Sequence, residues 1–207
     1  MNKARIAVLV SGGGTNLQAL LDAQSAGRLR HGEIVLVVSN NPEAYALTRA
    51  ERAGVEAVTL TRAAYGGQEG FEAQLAALLE ARGIDLIVLA GFMSILSGAF
   101  TRRYDRRILN IHPSLIPAFC GKGYYGLKVH EAALAYGVKV TGATVHFVNE
   151  VPDGGQILLQ KAVPIRPDDT PETLQKRVME QAEWKLLPRA VEQVSRELVK
   201  QRKERSR

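Results

Sequence analysis

Short apolar runs alternate with amphipathic segments along the first half of the chain. The runs are rich in β-branched residues and predict buried strands, and leucines at helical spacing between them predict helices. The predicted strands are Ala4–Val10, Glu33–Ser39, Val55–Leu60, Leu86–Ala90 and Arg107–Ile111, and the predicted helices are Asn16–Ala26, Ala44–Ala53 and Phe71–Arg82. This alternation predicts an α/β fold with a parallel, doubly wound sheet and helices on both faces.

The last third of the chain departs from this order. Leu127–Tyr136 predicts a helix, and two longer strands, Lys139–Val148 and Gln156–Pro164, are separated by a turn-rich connection of hairpin type. A final long helix is predicted to start at Thr170, a capping hydroxyl followed by Pro171 just inside the helix. We therefore expect one domain with an antiparallel strand pair and a long helix in its C-terminal third.

Composition and cysteine content narrow the class of protein. With 207 residues, 46% hydrophobic and 23% charged, the chain has the make-up of an ordinary globular domain. The apolar run Ile6–Val10 is too short for a signal peptide or a membrane span, which predicts a cytoplasmic protein. Cys120 is the only cysteine, so neither an intrachain disulfide nor a multi-cysteine metal site is expected. An incidental thiol is favoured over a nucleophile, because no activating base is identifiable beside it.

The positive charge is concentrated at one end of the chain. Residues 196–207 contain six Arg or Lys and two Glu, so they carry four of the six net positive charges. A solvated helix end is the favoured interpretation of this basic tail, ahead of binding to a phosphate polymer. No nucleic-acid partner is therefore expected.

A glycine-rich loop, Ser11–Asn16, separates the first predicted strand from the first helix. Its glycines allow the backbone to turn tightly, and the helix N-terminus adds a partial positive charge that suits a phosphate. The loop matches neither the G-x-G-x-x-G fingerprint nor a Walker A sequence. A phosphate site is favoured, and the alternative is a simple turn in which Thr15 or Asn16 caps the helix.

Asn110 and His112 end a predicted buried strand, where reacting groups gather in open α/β sheets. Residues two apart in a strand point to the same side, so an amide and an imidazole are paired there. Such a pair is suited to stabilising an oxyanion, and Pro113 and Pro117 stiffen the loop that follows. From spacing alone, a structural histidine and a catalytic pair remain about equally good interpretations.

Asp153 lies in an acidic turn before two glycines. Asp-Gly is a common turn pair, so a turn role is favoured unless the fold places Asp153 beside His112. In that position the carboxylate would raise the pKa of the imidazole and orient it. His146, within a strand pattern, is interpreted as structural, with a ring that borders the site. The histidines show no metal-ligand spacing, and no metal is expected.

Five segments spread in order over nearly the whole chain carry a family resemblance. They are SGGGTNLQAL, LAGFMSIL, LNIHPSLIPAF, GATVHFV and D-x-G-x-ILLQ. Together they resemble the phosphoribosylglycinamide formyltransferases, folate-dependent enzymes of purine biosynthesis. The resemblance implies a Rossmann-like sheet, a phosphoribosyl-binding half over residues 1–112, and a folate-cleft half with the final helix over residues 113–195. It implies formyl transfer from 10-formyltetrahydrofolate to the amine of 5'-phosphoribosylglycinamide, by a monomer or homodimer.

The same resemblance implies site residues. The implied catalytic residues are Asn110, His112 and Asp153. The implied substrate-binding residues are Gly14, Thr15 and Asn16 in the phosphate loop and Glu183 in the final helix. The implied folate-binding residues are Met93, Ser94, Ile95, Leu96, Asn110, Asn149, Glu150, Val151, Pro152 and Asp153.

Two positions depart from the family pattern. Gln68 stands where some members place an arginine near the folate tail. Binding of the folate's glutamate tail is therefore expected to depend on other residues or to be weaker. Around Met179–Ala182 the chain has one extra residue, which affects the register of Glu183. The alternatives left open are another formyltransferase or a hydrolase that uses 10-formyltetrahydrofolate, and a non-catalytic nucleotide- or RNA-binding module. A methionyl-tRNA formyltransferase is expected to carry a further C-terminal domain, and a hydrolase an N-terminal one.

Overall fold

A seven-stranded sheet forms the centre of the computed structural model, which describes residues 3–205. The strands are β1 (Ala4–Val10), β2 (Gly32–Ser39), β3 (Glu56–Thr59), β4 (Leu86–Leu89), β5 (Ile108–His112), β6 (Val140–Phe147) and β7 (Ile157–Pro164). Their order in the sheet is β3-β2-β1-β4-β5-β6-β7. The first five strands pair in parallel, and β6 and β7 are antiparallel. The predicted α/β fold, with its antiparallel C-terminal pair, is confirmed.

Helices follow most of the strands. They are α1 (Thr15–Ser25), α2 (Tyr45–Arg52), α3 (Gln68–Ala81), α4 (Gly98–Arg103), α5 (Leu127–Tyr136), α6 (Pro171–Val178) and α7 (Trp184–Arg205). A short 3-10 turn, Ala63–Tyr65, precedes α3, and a π turn, Met179–Glu183, joins α6 to α7. Within residues 3–205, no helix is both long and apolar enough to cross a membrane.

Both faces of the sheet are covered by apolar side chains. Along β1, Ile6 and Val8 belong to a core shared with α1 and α7, whereas Ala7 and Leu9 belong to a second core shared with α3 and α4. A strand buried on both faces needs apolar residues at consecutive positions. This requirement explains why the sequence of β1 is a continuous apolar run rather than an alternating one.

Helix α4 has no counterpart among the predicted elements. It contains six residues and begins after Ser97, whose hydroxyl accepts a hydrogen bond from the Phe100 N–H at 3.1 Å. Phe100 anchors the helix by packing into the second core. A helix of under two turns is too short to show a recognisable apolar period, so only the cap signals it.

The predicted final helix is interrupted. It begins as expected, with Thr170 and Thr173 forming a capping box and Pro171 in the first turn. The π turn then replaces ordinary α-helical geometry at Met179–Glu183. Because a π turn bonds i to i+5, it contains one more residue than an α-helical turn. The interruption lies at the segment Met179–Ala182, where one extra residue was expected relative to some relatives.

The basic segment 196–207 is not a separate tail over its described part. Residues 196–205 continue α7, in which Val199 is buried and Leu198 packs against the core. Arg202 forms an ion pair with Asp85 at the start of β4. The described part of this segment is thus the C-terminal end of α7, and residues 206–207 lie outside the described residues.

Candidate active site

The carboxyl ends of β1, β4 and β5 meet at one edge of the sheet, because these strands are parallel neighbours. The glycine loop follows β1, the segment 90–97 follows β4, and the loop 113–126 follows β5. Loops of this kind converge beyond the strand ends and form the usual site of open α/β sheets. The residues expected to carry the chemistry lie at the end of β5, on these loops, on the turn after β6 and, for Glu183, in the π turn.

Asn110, His112 and Asp153 lie together at this edge. The Asp153 Oδ1 atom is 3.4 Å from the Asn110 Nδ2 atom, and the Oδ2 atom is 3.5 Å from the His112 Nδ1 atom. Each carboxylate oxygen therefore faces one member of the strand-end pair. The structure thus brings the three expected catalytic residues into one polar cluster.

Local backbone geometry positions the Asp153 carboxylate. The residue has a positive φ of 55°, a conformation that aspartate tolerates better than most side chains. The Gly121 N–H donates to Oδ2 at 2.8 Å and ties the carboxylate to the loop after β5. A Cβ atom on Gly155 would lie 1.7 Å from the Phe147 carbonyl oxygen, so only glycine permits this close return of the chain.

Burial and hydrogen bonding set the protonation of the cluster. Burial raises the pKa of Asp153, but hydrogen bonding to His146, the His112 ring and the Gly121 N–H together bring this pKa below its ordinary value. Burial also lowers the pKa of His112, and it outweighs the opposing effect of the Asp153 carboxylate. Asp153 thus has the expected direction of effect on the pKa of His112, but the effect of burial is larger. Near neutral pH the cluster pairs an ionised carboxylate with a neutral imidazole.

The two ring nitrogens of His112 have different surroundings. The Nε2–H group donates to the Phe119 carbonyl oxygen at 2.8 Å, which assigns the ring hydrogen to Nε2. The Nδ1 atom then faces the Asp153 carboxylate without a proton. A proton gained at Nδ1 would lie directly beside the carboxylate. The ring is therefore oriented to acquire positive charge during a reaction.

His146 belongs to the cluster, although its sequence pattern indicated a structural role. Its Nδ1 atom lies 2.9 Å from the Phe147 carbonyl oxygen, and its Nε2 atom lies 3.1 Å from the Asn110 Nδ2 atom and 3.6 Å from the Asp153 Oδ1 atom. The contact arises because Asn110 and His146 are paired in the antiparallel register of β5 and β6. Placing His146 in the cluster requires knowing that β5 and β6 pair antiparallel in this register. The sequence alone does not specify that pairing.

Thr144 fixes the loop after β5. Its hydroxyl donates to the Ser114 carbonyl oxygen at 2.7 Å and accepts from the Ile116 N–H at 3.1 Å. The Gln160 amide also donates to this hydroxyl and to the Ile116 carbonyl oxygen. Buried hydrogen bonds of this kind hold a loop in one conformation. The loop that carries the Phe119 carbonyl is therefore held against β6.

The glycine loop is held from outside by α2. Gly14 occupies the N-cap of α1 with a φ of 73°, and a Cβ atom there would lie 2.7 Å from the Ala46 Cβ atom. Arg49 donates to the Gly13 carbonyl oxygen at 2.8 Å. Among residues 3–205 no side chain caps α1, so the alternative in which Thr15 or Asn16 is the cap is wrong. The first N–H groups of α1 have no intrahelical partner and suit an anion.

Glu183 reaches the same loop from the π turn. Its Oε2 atom accepts a hydrogen bond from the Asn16 amide at 2.7 Å, and both side chains are buried. Asn16 Oδ1 has no hydrogen-bond partner among the described residues. Burial raises the pKa of Glu183 to about 7, partly opposed by the Asn16 hydrogen bond. The pair thus offers acceptor oxygens beside the predicted phosphate loop.

Glu183→Gln is expected to stabilise the protein at high pH. Because the native pKa is raised above the unfolded value of 4.5, stability is highest at low pH and falls as pH rises towards about 7. The shift corresponds to about 3 kcal/mol, and glutamine avoids this ionisation cost while still accepting from Asn16. We expect the melting temperature at about pH 8 to rise by about 5 °C.

The same Glu183→Gln comparison at about pH 4, below the unfolded pKa of 4.5, provides the control, because Glu183 is then neutral in the folded state and mostly neutral in the unfolded state. Scanning calorimetry across this pH range should show the two melting curves converging as pH falls. A constant difference at every pH would contradict the burial argument. Loss of affinity for the phosphoribosyl substrate in the stabilised variant would show that the buried carboxyl is retained for binding.

The expected folate segment, 93–96, lies beside the glycine loop. The Met93 N–H donates to the Ser11 hydroxyl at 2.8 Å, and Ser94 accepts from the Asn40 amide at 2.6 Å. Leu96 is buried, whereas Met93 and Ile95 are 53% and 61% exposed. An anchored segment that exposes two large apolar side chains is suited to contact with an apolar ligand surface.

The turn 149–153 is tied to the same segment. Glu150 forms an ion pair with Arg102 of α4 at 2.6 Å, and the Asn149 side chain accepts from the Val151 N–H at 2.9 Å. A Cβ atom on Gly98 would approach the Glu150 Cβ atom to 3.3 Å, so the start of α4 lies against this turn. Val151 is exposed, and Pro152 lies beside it in the turn. The two groups of expected folate-binding residues therefore border one region.

A cavity of about 510 Å³ lies elsewhere, at the opposite edge of the sheet. It is bordered by Asp85 and Arg107, which precede β4 and β5, and by the C-terminal part of α7. Its walls carry both acidic and basic side chains. The convergent polar groups at the carboxyl edge, rather than this cavity, define the candidate site. Among residues 3–205, no group of three or more His, Cys, Asp or Glu is placed to hold a metal ion.

Comparison with known proteins identifies the family. The formyl transferase family matches residues 4–191, which is most of the chain. The chain belongs to the formyl transferase family. A phosphoribosylglycinamide formyltransferase of Haemophilus influenzae is 42% identical over 184 residues, covering 89% of this chain and 84% of that protein.

Other relatives share both sequence and fold. The crystal structure of glycinamide ribonucleotide transformylase 1 from Symbiobacterium toebii superposes with a TM-score of 0.85 at 46% identity, covering 92% of this chain and 86% of that one. The trifunctional purine biosynthetic protein adenosine-3 of Gallus gallus is 45% identical over 194 residues, or 94% of this chain. The chain spans about a fifth of the length of that trifunctional relative, of which 19% is covered.

Proposed function

We propose that this formyl transferase moves the formyl group of 10-formyltetrahydrofolate to the amine of 5'-phosphoribosylglycinamide, a step of purine biosynthesis. The products are tetrahydrofolate and the N-formylated ribonucleotide. The observation that carries the proposal is the Asn110–His112–Asp153 cluster at the strand edge that also holds the glycine loop. Relatives named phosphoribosylglycinamide formyltransferase or glycinamide ribonucleotide transformylase support the same reaction.

The cluster suits acyl transfer to an amine. Attack of the amine nitrogen on the formyl carbon forms a C–N bond and places negative charge on the formyl oxygen. The Asn110 amide and the His112 Nε2–H group, which donates to the Phe119 carbonyl oxygen at rest, would donate to this oxyanion. Asp153, 3.5 Å from the His112 Nδ1 atom, would stabilise positive charge on the ring as the oxyanion develops. His112 is neutral at rest, so positive charge on its ring requires a proton at Nδ1; the attacking amine would supply this proton, and Asp153 would pass it on to the folate nitrogen.

Asp153 is also proposed to move the proton that the reaction must transfer. The attacking amine loses a proton, and the folate nitrogen gains one as its C–N bond breaks. An ionised carboxylate between the two can relay this proton directly or through one water. The lowered pKa of Asp153 keeps it in the accepting form. In this proposal Asn110 and His112 stabilise the oxyanion, and Asp153 transfers the proton.

The phosphoribosyl substrate is assigned to the glycine loop. Gly14, Thr15 and Asn16 would present backbone N–H groups to the phosphate at the start of α1. Glu183, hydrogen-bonded to Asn16, would accept from polar groups of the substrate. Binding energy from the remote phosphate would then align the amine with the cluster.

The folate donor is assigned to the region bordered by 93–96 and 149–153. Exposed Met93 and Ile95 fit an aromatic ring system, and the backbone of the turn before Asp153 offers polar groups to a pterin. Residues 1–112 are proposed as the substrate half and 113–195 as the folate half of one domain. Cytoplasmic location and a monomer or homodimer stay predictions from the sequence.

A formyl-transfer assay tests the proposed function. Absorbance is followed as 10-formyltetrahydrofolate loses its formyl group in the presence of glycinamide ribonucleotide, of tRNA, or of water alone. Turnover is expected only with glycinamide ribonucleotide. Equal turnover in water alone would identify a hydrolase, and turnover with tRNA would identify a different formyltransferase. No turnover in any arm would refute catalysis and favour a binding module.

A further inference from the structure

Gln68 lies beside the exposed segment that bears Ile95, and its amide donors are both engaged. One N–H donates to the Glu72 carboxylate and the other to the Ile95 carbonyl oxygen at 3.1 Å. Glu72 also accepts from the Ser97 N–H and hydroxyl, so this network supports the segment that bears Ile95. A primary amide has only two N–H groups, and Gln68 therefore presents no free donor to a carboxylate.

Arg62 approaches the same carbonyl group from the other side. It precedes the 3-10 turn Ala63–Tyr65, and its Nη2 atom donates to the Ile95 oxygen at 3.0 Å. The residue is exposed, and no carboxylate within residues 3–205 forms an ion pair with it. A guanidinium has five N–H donors, and the bond to the Ile95 oxygen is the only hydrogen bond that the Arg62 side chain forms with the described residues.

The residues around Arg62 are suited to a ligand that has both an apolar surface and a negative charge. Ile95 exposes 61% of its surface and Met93 exposes 53%, and both lie on the segment that Arg62 contacts. An apolar surface next to an unpaired guanidinium matches a ligand in which an aromatic ring is followed by a carboxylate. The p-aminobenzoylglutamate part of a folate has this chemistry.

We propose that Arg62 binds the glutamate carboxylate of the folate and so supplies the cation that Gln68 cannot. This assignment rests on the proposed function and names the residue that recognises one end of the donor. The contact with the Ile95 carbonyl orients the guanidinium, which leaves its remaining N–H groups free to form paired hydrogen bonds with a carboxylate. Arg62 and Gln68 thus have separate roles, one in ligand binding and the other in support of the 95–97 segment.

Equilibrium binding of two ligands tests the assignment without turnover. The probes are tetrahydrofolate and tetrahydropteroate, the latter used as its uncharged carboxamide because the free acid carries a carboxylate of its own. Arg62→Ala is expected to weaken tetrahydrofolate binding about tenfold, the scale of a hydrogen-bonded charge pair, and to leave tetrahydropteroate binding unchanged. The effect should shrink as salt rises, because the pair is exposed to solvent.

Two further variants sharpen the experiment. Arg28→Ala removes an exposed arginine in the loop after α1 and is expected to leave both affinities unchanged. Arg62→Ala combined with Gln68→Arg restores a cation on the same rim and is expected to recover much of the tetrahydrofolate affinity. Equal weakening of both ligands by Arg62→Ala, or no weakening of either, would overturn the assignment.

The outcome is separable from that of the proposed function. A protein that formylates glycinamide ribonucleotide but shows no glutamate-dependent loss in Arg62→Ala would keep its function and lose this assignment. A protein that binds tetrahydrofolate through Arg62 yet formylates nothing would keep the assignment and lose the function.

Discussion

Asp153→Asn is expected to lower turnover by about 100-fold or more while leaving the fold intact. The Asp153 Oδ2 atom accepts from the Gly121 N–H at 2.8 Å, and an asparagine oxygen can keep this bond. The new amide nitrogen would then face the Asn110 amide and the His146 ring, where a carboxylate oxygen now lies. The variant therefore loses the proton acceptor and the negative charge beside His112, but little packing.

A pH titration of His112 distinguishes loss of the Asp153 negative charge from a general disturbance of the site in this variant. The pKa of His112 is already lowered by burial, and Asp153 partly opposes this effect. Removing the negative charge should therefore lower the pKa of His112 further, which an NMR titration of the imidazole resonances can measure. Asp168→Asn, which neutralises an exposed aspartate far along the chain, is the matched control and should change neither rate nor titration. Turnover of Asp153→Asn near the parental rate would remove Asp153 from the mechanism.

The parallel part of the fold was predictable because burial on both faces constrains the sequence at every position of a strand. Strands such as β1 and β4 need uninterrupted apolar residues, and such runs between amphipathic segments are typical of a parallel sheet. Helix α4 left no such pattern, since six residues do not establish a period. The π turn was indicated only as an extra residue, because its backbone geometry has no residue signature of its own.

The candidate site was only partly predictable, for a different physical reason. Asn110 and His112 could be paired from their two-residue spacing, which is a local property of a strand. The approach of Asp153 depends on a positive φ, on the Gly121 N–H and on the close return of the chain at Gly155. These are contacts between distant segments, and a family resemblance supplied what spacing could not. The neutral state of His112 depends on burial, which sequence spacing does not measure.

His112→Gln is expected to reduce turnover by about 100-fold to 1,000-fold. The imidazole is the group that gains positive character opposite the oxyanion, and an amide has no corresponding protonation near neutral pH. His112→Ala would remove the same chemistry but leave the Phe119 carbonyl without its donor, at a cost of about 1–2 kcal/mol in stability. The glutamine variant can donate to this carbonyl, so it tests chemistry with less disturbance of the loop.

The double variant His112→Gln with Asp153→Asn decides whether the two residues act as one unit. If Asp153 works by stabilising charge on the His112 ring, 3.5 Å away, removing both should cost little more than removing His112 alone. If Asp153 works mainly as an independent proton relay, the two losses should multiply, because each step would be slowed separately. Single-turnover rates of the four proteins give this interaction energy directly. A near-normal rate in His112→Gln would instead place the oxyanion contact on Asn110 alone, held by its hydrogen bond to His146.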